Sequence, residues 1–109
     1  MRKALCVGVD AYKHINDLYG CVNDANSVKT ALERNGDGTL NFEVKLMCAT
    51  SEATYIERND LRDEIENLFK TDSEIALFYY SGHGSFDALG GYLCTSEVKR
   101  ANEGLSLNE

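Results

Sequence analysis

Four consecutive residues, Ser81-Gly82-His83-Gly84, place a histidine between two glycines directly after an apolar stretch. Histidine takes up and releases protons near neutral pH, so it commonly serves as a general base. The glycines let the backbone turn sharply and come close to another group. The simpler alternative is an ordinary strand-to-loop turn that carries an incidental surface histidine. The chemistry in question is therefore proton transfer by His83.

The stretch that leads into this histidine has the pattern of a strand. Ile75 to Tyr80 is a continuous apolar and aromatic run with no polar alternation. Such a run predicts a strand buried on both faces, the central strand of a parallel sheet. Ligands bind at the carboxyl ends of strands in open α/β sheets, so His83 would lie at the functional edge.

The elements that precede this strand alternate between strand and helix. Strands are predicted from Lys3 to Val9 and from Phe42 to Met47. Helices are predicted over 21–32 and from about Tyr55 to Lys70. The second helix has a predicted buried stripe of Leu61, Ile65, Leu68 and Phe69. The order βαβαβ predicts an α/β fold with a parallel sheet and right-handed crossovers.

The residues after His83 predict a hairpin and then an interrupted element. Ser85 to Thr95 reads as a short hairpin that turns at Leu89-Gly90-Gly91. Ser106 and Glu109 match the Ser-x-x-Glu capping box that ordinarily begins a helix, and no helix body follows. We therefore expect residues 1–109 to form one α/β domain that is incomplete at its C-terminus.

Composition limits the partners that this chain is expected to have. A net charge of -7 at pH 7 argues against nucleic acid or an anionic membrane and favours cationic ligands. The sequence contains no apolar run long enough to span a bilayer and no signal-peptide pattern. The four cysteines lack CxxC spacing, which predicts reduced thiols and a cytoplasmic location.

Taken together, these features resemble the caspase and metacaspase superfamily of cysteine peptidases. Members of that family carry a hydrophobic strand that ends in Ser-Gly-His-Gly, followed by a small hairpin. The resemblance covers the whole chain and implies a truncated three-layer α/β sandwich with a mostly parallel sheet. It also implies that His83 is the catalytic base and that the N–H of Gly84 contributes to the oxyanion hole.

The resemblance places the nucleophilic cysteine on the next parallel strand, and no such strand with an acid-x-Cys ending occurs here. Cys94 follows the hairpin turn, and Cys6 is in mid-strand. Cys21 precedes the first helix, whose N-terminus could lower its pKa. We therefore expect a Cys-His dyad in the complete domain, with the remainder of the domain as partner, and no activity from this chain alone.

A second stretch of the chain, Gly20 to Ala25, also resembles metacaspases. There the aspartate of the motif, which is Asp24 here, lines the pocket that selects arginine or lysine before the scissile bond, at P1. A carboxylate suits a guanidinium group, so the resemblance implies protein or peptide substrates with a basic P1 residue. The alternative is that Asn23 or Asp24 only caps the helix.

Asp10 and Tyr12 follow the first strand at the same sheet edge. They could line the substrate cleft, although a plain polar loop is the simpler interpretation. Some metacaspases need calcium, but no ligand cluster for calcium or another metal is evident, so we expect no metal and no cofactor.

Two other functions stay open. One is a non-catalytic caspase-like module, a pseudoenzyme that serves in interaction or regulation. The other is a flavodoxin-like or receiver-type switch, which the βαβαβ order permits. No phosphate-binding glycine loop follows the first strand, and the sequence around His83 has no role in such a protein, so this alternative is disfavoured.

Overall fold

The computed structural model describes residues 1–70, 72–87, 90–100 and 103–107. The elements follow one another as β1 (Arg2–Val9), α1 (Cys21–Glu33), β2 (Phe42–Ala49), a 3₁₀ turn (Glu52–Thr54), α2 (Arg58–Lys70), β3 (Ile75–Ser81), β4 (Gly84–Asp87), β5 (Gly90–Leu93) and β6 (Leu105–Ser106). The predicted βαβαβ order and the hairpin after it are confirmed.

The first sheet is parallel and has the strand order β2-β1-β3, with Arg2 opposite both Phe42 and Ile75. The prediction that the strand before His83 is central is wrong, because β1 lies in the middle. The predicted burial of this strand on both faces is also wrong, because Ile75 is exposed and the other side chains of β3 are only partly buried. Within the described residues β3 pairs on one side only.

Helices cover both faces of this sheet. The odd-numbered residues from Leu5 to Val9 pack in one apolar cluster with Leu61 and Leu68 of α2. On the other face, a Cβ added to Gly8 would lie 2.5 Å from the carbonyl oxygen of Cys21 at the start of α1. Because successive strand residues point to opposite faces, α1 and α2 lie on opposite sides and form a three-layer sandwich.

The second helix begins later than its pattern predicted. The N–H of Arg58 donates to Glu97 Oε2 at 2.7 Å, so a residue beyond the hairpin supplies an acceptor at the helix start. Leu61 and Leu68 are buried as predicted, but Phe69 is 57% exposed and its predicted burial is wrong. Phe69 follows Leu68 by one position, which turns it about 100° away from the sheet. No helix in the described part of the chain is long and apolar enough to cross a membrane.

A second, smaller sheet follows the parallel one. Its strands run antiparallel in the order β4-β5-β6, with Gly84 opposite Leu93 and Tyr92 opposite Ser106. Residue 89 of the predicted hairpin turn, and residues 108 and 109 of the predicted capping box, lie outside the described residues. The other two residues of the predicted turn, Gly90 and Gly91, lie in β5, so the turn was predicted too late in the chain. Ser106 itself lies in β6, a strand too short to leave a sequence pattern.

Candidate active site

His83 stands between the end of β3 and the start of β4, and its ring is anchored on the loop after β1. Its Nε2 lies 2.8 Å from the carbonyl oxygen of Asn16. A carbonyl can only accept a hydrogen bond, so Nε2 carries the hydrogen and donates it. In the neutral ring, Nδ1 then holds the free lone pair. The side chain of His83 is only partly buried.

The loop after β1 is folded by its own hydrogen bonds, which present the Asn16 carbonyl to the ring. The N–H of Tyr12 donates to Asp17 Oδ1 at 2.9 Å, and the N–H of Leu18 donates to the Asp10 carbonyl at 2.8 Å. Sequence reasoning missed Asn16 because a backbone carbonyl is common to all residue types and leaves no signal.

Asp10, the residue that follows β1, caps the first helix. Its carboxylate accepts the N–H of Cys21 at 2.9 Å and the N–H of Val22 at 3.3 Å. The predicted cap at Asn23 or Asp24 is wrong, because the helix already begins at Cys21 and takes its acceptor from Asp10. This contact satisfies backbone donors that a helix start otherwise leaves unpaired. A substrate-lining role for Asp10 stays a prediction.

Asp24 lies in the first turn of α1 with its side chain exposed. The hydroxyl of Ser81, the last residue of β3, donates to Asp24 Oδ2 at 3.4 Å. This bond joins the helix start to the strand end two residues before His83. The structure therefore brings Asp24 to the sheet edge that leads into His83, and its role in a substrate pocket stays a prediction.

Tyr12 lies against His83 and is only 5% exposed. Its hydroxyl accepts the N–H of His83 at 2.8 Å. The two rings meet edge to face with 4.8 Å between their centroids and 62° between their planes. Gly84 begins β4 opposite Leu93. The substrate-lining role of Tyr12 and the oxyanion role of the Gly84 N–H both stay predictions.

The groups gathered at this edge are an imidazole, a carboxylate and phenol hydroxyls, which can transfer a proton and recognise a cation. Across the described ranges, no three His, Cys, Asp or Glu side chains stand together as ligands for a metal ion.

The thiols of this chain are poorly suited to attack a substrate. Cys6 and Cys94 are buried, and burial raises the pKa of all four thiols. At Cys21 burial is the largest cause, a hydrogen bond with Ser81 opposes it, and the Asp10 carboxylate adds to it. The expectation that the helix start lowers the pKa of Cys21 is wrong, because Asp10 already uses the N–H groups there.

These buried acids are expected to make stability depend on pH. Burial raises the pKa of Tyr80 and of the thiols, so the unfolded chain loses these protons at a lower pH than the folded chain. The folded state then binds more protons, and the free energy of unfolding decreases as pH rises. We expect these groups to leave it unchanged up to about pH 8 and to lower it from about pH 9 upward.

Urea unfolding between pH 7 and pH 10, with a reducing agent present, measures this pH dependence. Tyr80→Phe removes one of the groups and should flatten part of the decrease. A free energy of unfolding that rises above pH 9 would contradict the assignment of these side chains as buried neutral acids.

Comparison with known proteins gives a family match and related metacaspases. Residues 1–104 match the family model described as Caspase domain. Metacaspase-1 of Schizosaccharomyces pombe is 29% identical over 86 residues, and Metacaspase-1 of Candida albicans is 31% identical over 85 residues. No solved structure gives a significant match.

The two metacaspases are much longer than this chain. Each alignment covers 76% of this chain but only 20% and 19% of the respective relative, so the chain spans about a fifth of the length of the curated relatives it matches. The family match nevertheless covers nearly the whole sequence, and the chain belongs to the caspase-domain family of peptidases.

Proposed function

We propose that this chain is the histidine-bearing part of a cysteine endopeptidase domain that cleaves proteins after arginine or lysine. The observation that carries the proposal is the anchored ring of His83. With Nε2–H bound to the Asn16 carbonyl, the lone pair of Nδ1 is free to accept a proton at the carboxyl end of β3. A positioned base of this kind is what a thiol nucleophile requires.

The nucleophile in this proposal comes from the remainder of the domain, outside these 109 residues. Nδ1 of His83 takes the thiol proton, the thiolate sulfur bonds to the scissile carbonyl carbon, and the Gly84 N–H donates to the developing oxyanion. When the C–N bond breaks, His83 gives its proton to the leaving amine. Water, losing a proton to His83, then attacks the thioester carbonyl carbon, and breaking of the S–C bond releases the acid and restores the thiol. The buried or partly buried thiols of the chain itself, all with raised pKa, support the proposal that it is inactive alone.

Specificity for a basic P1 side chain is proposed to come from Asp24. Its carboxylate is exposed at the edge that leads to His83, and its hydrogen bond with Ser81 is long at 3.4 Å. An arriving guanidinium or ammonium group could therefore make a charge-assisted contact with it. The net charge of -7 would also attract cationic substrates and disfavour nucleic acid or an anionic membrane as partner.

Asp24→Asn in the complete domain tests this specificity. The change keeps the shape and the bond from Ser81 but removes the charge, so we expect kcat/KM for peptides with Arg or Lys at P1 to fall about 10- to 100-fold. The measurement uses peptides with Arg, Lys and Asp at P1. The matched control is Asp63→Asn, an exposed carboxylate on α2.

The outcomes of this experiment separate the candidate functions. Cleavage after Asp but not after Arg would remove the pocket role of Asp24. A folded complete domain that cleaves none of the peptides would favour the second candidate, a non-catalytic caspase-like module. That candidate is supported by one observation, the raised pKa of every thiol in this chain.

We also propose a cytoplasmic location. The four cysteines form no disulfide with one another, which is the state that a reducing compartment maintains.

A further inference from the structure

Two phenol hydroxyls hold the peptide backbone of His83 from opposite ends. The hydroxyl of Tyr12 accepts the His83 N–H at 2.8 Å, and the hydroxyl of Tyr80 donates to the His83 carbonyl at 2.9 Å. The Tyr80 hydroxyl also lies 2.7 Å from the carbonyl oxygen of Cys94. The backbone N–H of Cys94 in turn donates to the His83 carbonyl. We call Tyr12 and Tyr80 the phenol clamp.

The hydrogens of the phenol clamp can all be accounted for. The two hydroxyl oxygens lie 3.5 Å apart, so the O–H of Tyr12 can point at the oxygen of Tyr80. The O–H of Tyr80 is then shared between the carbonyls of His83 and Cys94. Burial raises the pKa of Tyr80, which keeps this hydroxyl protonated and able to donate at neutral pH.

Gly82 is shaped by the same arrangement. A Cβ added there would lie 2.5 Å from the hydroxyl of Tyr80 and 2.8 Å from that of Tyr12. The phenol clamp therefore fills the space that a side chain at this position would need. Because Gly82 has no side chain, both hydroxyls can reach the backbone of His83.

The imidazole itself is held by Tyr12 and by the Asn16 carbonyl. The ring of Tyr12 meets the ring of His83 edge to face on one side, while the Asn16 carbonyl holds Nε2. Tyr12 belongs to the main apolar cluster of the sandwich, and Tyr80 packs against that cluster. The backbone and the ring of His83 are thus both tied to the core.

We propose that Tyr12 and Tyr80 are positioning residues that fix the backbone and ring orientation of His83, so that Nε2 stays on the Asn16 carbonyl and Nδ1 faces outward. Only the catalytic consequence of this arrangement rests on the proposed function. A base displaced by about 1 Å can lose about 100-fold in rate, so such a device would matter to an enzyme.

The direct test is nitrogen NMR of the histidine rings in Tyr80→Phe and Tyr12→Phe variants of the chain. We expect the unchanged chain to show His83 with its hydrogen on Nε2, exchanging slowly with water. Each variant should show a mixture of tautomers and faster exchange. His14, exposed in the loop after β1, is an internal reference that should not change.

Tyr79→Phe is the matched control. It makes the same chemical change one residue away, on the opposite face of β3. We expect its His83 signals to equal those of the unchanged chain. Tyr12→Phe leaves the contacts of the Tyr80 hydroxyl with the carbonyls of His83 and Cys94 in place. If Tyr80→Phe does not fold, the proposal is therefore judged on Tyr12→Phe alone. Unchanged tautomer and exchange in the folded clamp variants would overturn the proposal.

An activity measurement separates this proposal from the proposed function. In the complete domain, Tyr80→Phe should lower kcat about 10- to 100-fold with little change in KM, while Tyr79→Phe should not. Altered His83 signals in a complete domain that cleaves nothing would keep the phenol clamp and reject the peptidase. Full activity in both clamp variants would reject a positioning role in catalysis.

Discussion

His83→Ala in the complete domain is expected to lower kcat/KM by about 10²- to 10⁴-fold, the usual contribution of a positioned general base. The thiol would keep its proton, and the leaving amine would depart without a proton donor. The fold should survive, because the substitution removes one side-chain hydrogen bond, that with the Asn16 carbonyl, at a partly exposed site. Such a bond contributes about 1 kcal/mol.

His14→Ala is the control for this experiment, since it removes the other histidine of the chain from an exposed loop position. Steady-state cleavage of an Arg peptide gives the activity, and urea unfolding gives the stability of each variant. Near-normal cleavage by a folded His83→Ala domain would mean that the base lies elsewhere.

Leu61→Ala is expected to lower the free energy of unfolding by about 2–5 kcal/mol. Leu61 of α2 is fully buried in the apolar cluster that also contains Leu5 and Val7 of β1. Removing its side chain takes away that packing and leaves a cavity between helix and sheet. A small domain has only about 5–15 kcal/mol of stability in total, so the loss should be plain in a urea titration.

Leu40→Ala makes the same change at a side chain that is 63% exposed and should cost no more than about 0.5 kcal/mol. An equal decrease in the free energy of unfolding in the two variants would mean that Leu61 of α2 does not pack against β1.

Much of the fold could be predicted because it depends on local patterns. Apolar periodicity located all three strands of the parallel sheet and both helices, and their alternation predicted the parallel arrangement. The sequence could not show which strand is central, because β1 and β3 are both apolar runs. Their order depends on backbone pairing, which leaves no side-chain signature.

In the candidate site too, some residues could be predicted from local sequence, and other contacts depend on tertiary structure. His83 and Asp24 could be identified because their neighbours form recognisable motifs. Asp10 as a helix cap could not, since its partners Cys21 and Val22 follow eleven and twelve residues later across a loop. The link from Tyr12 to the His83 N–H spans 71 residues and depends on tertiary structure alone.

The cap that Asp10 provides has a practical consequence for following this edge in solution. The amide hydrogens of Cys21 and Val22 are held by the side chain of Asp10, directly after β1, and not by a residue at the start of their own helix. They can exchange with deuterium only when helix and strand end move apart. The rate at which these two amides exchange therefore measures how often the start of α1, which carries Asp24, separates from the end of the central strand β1.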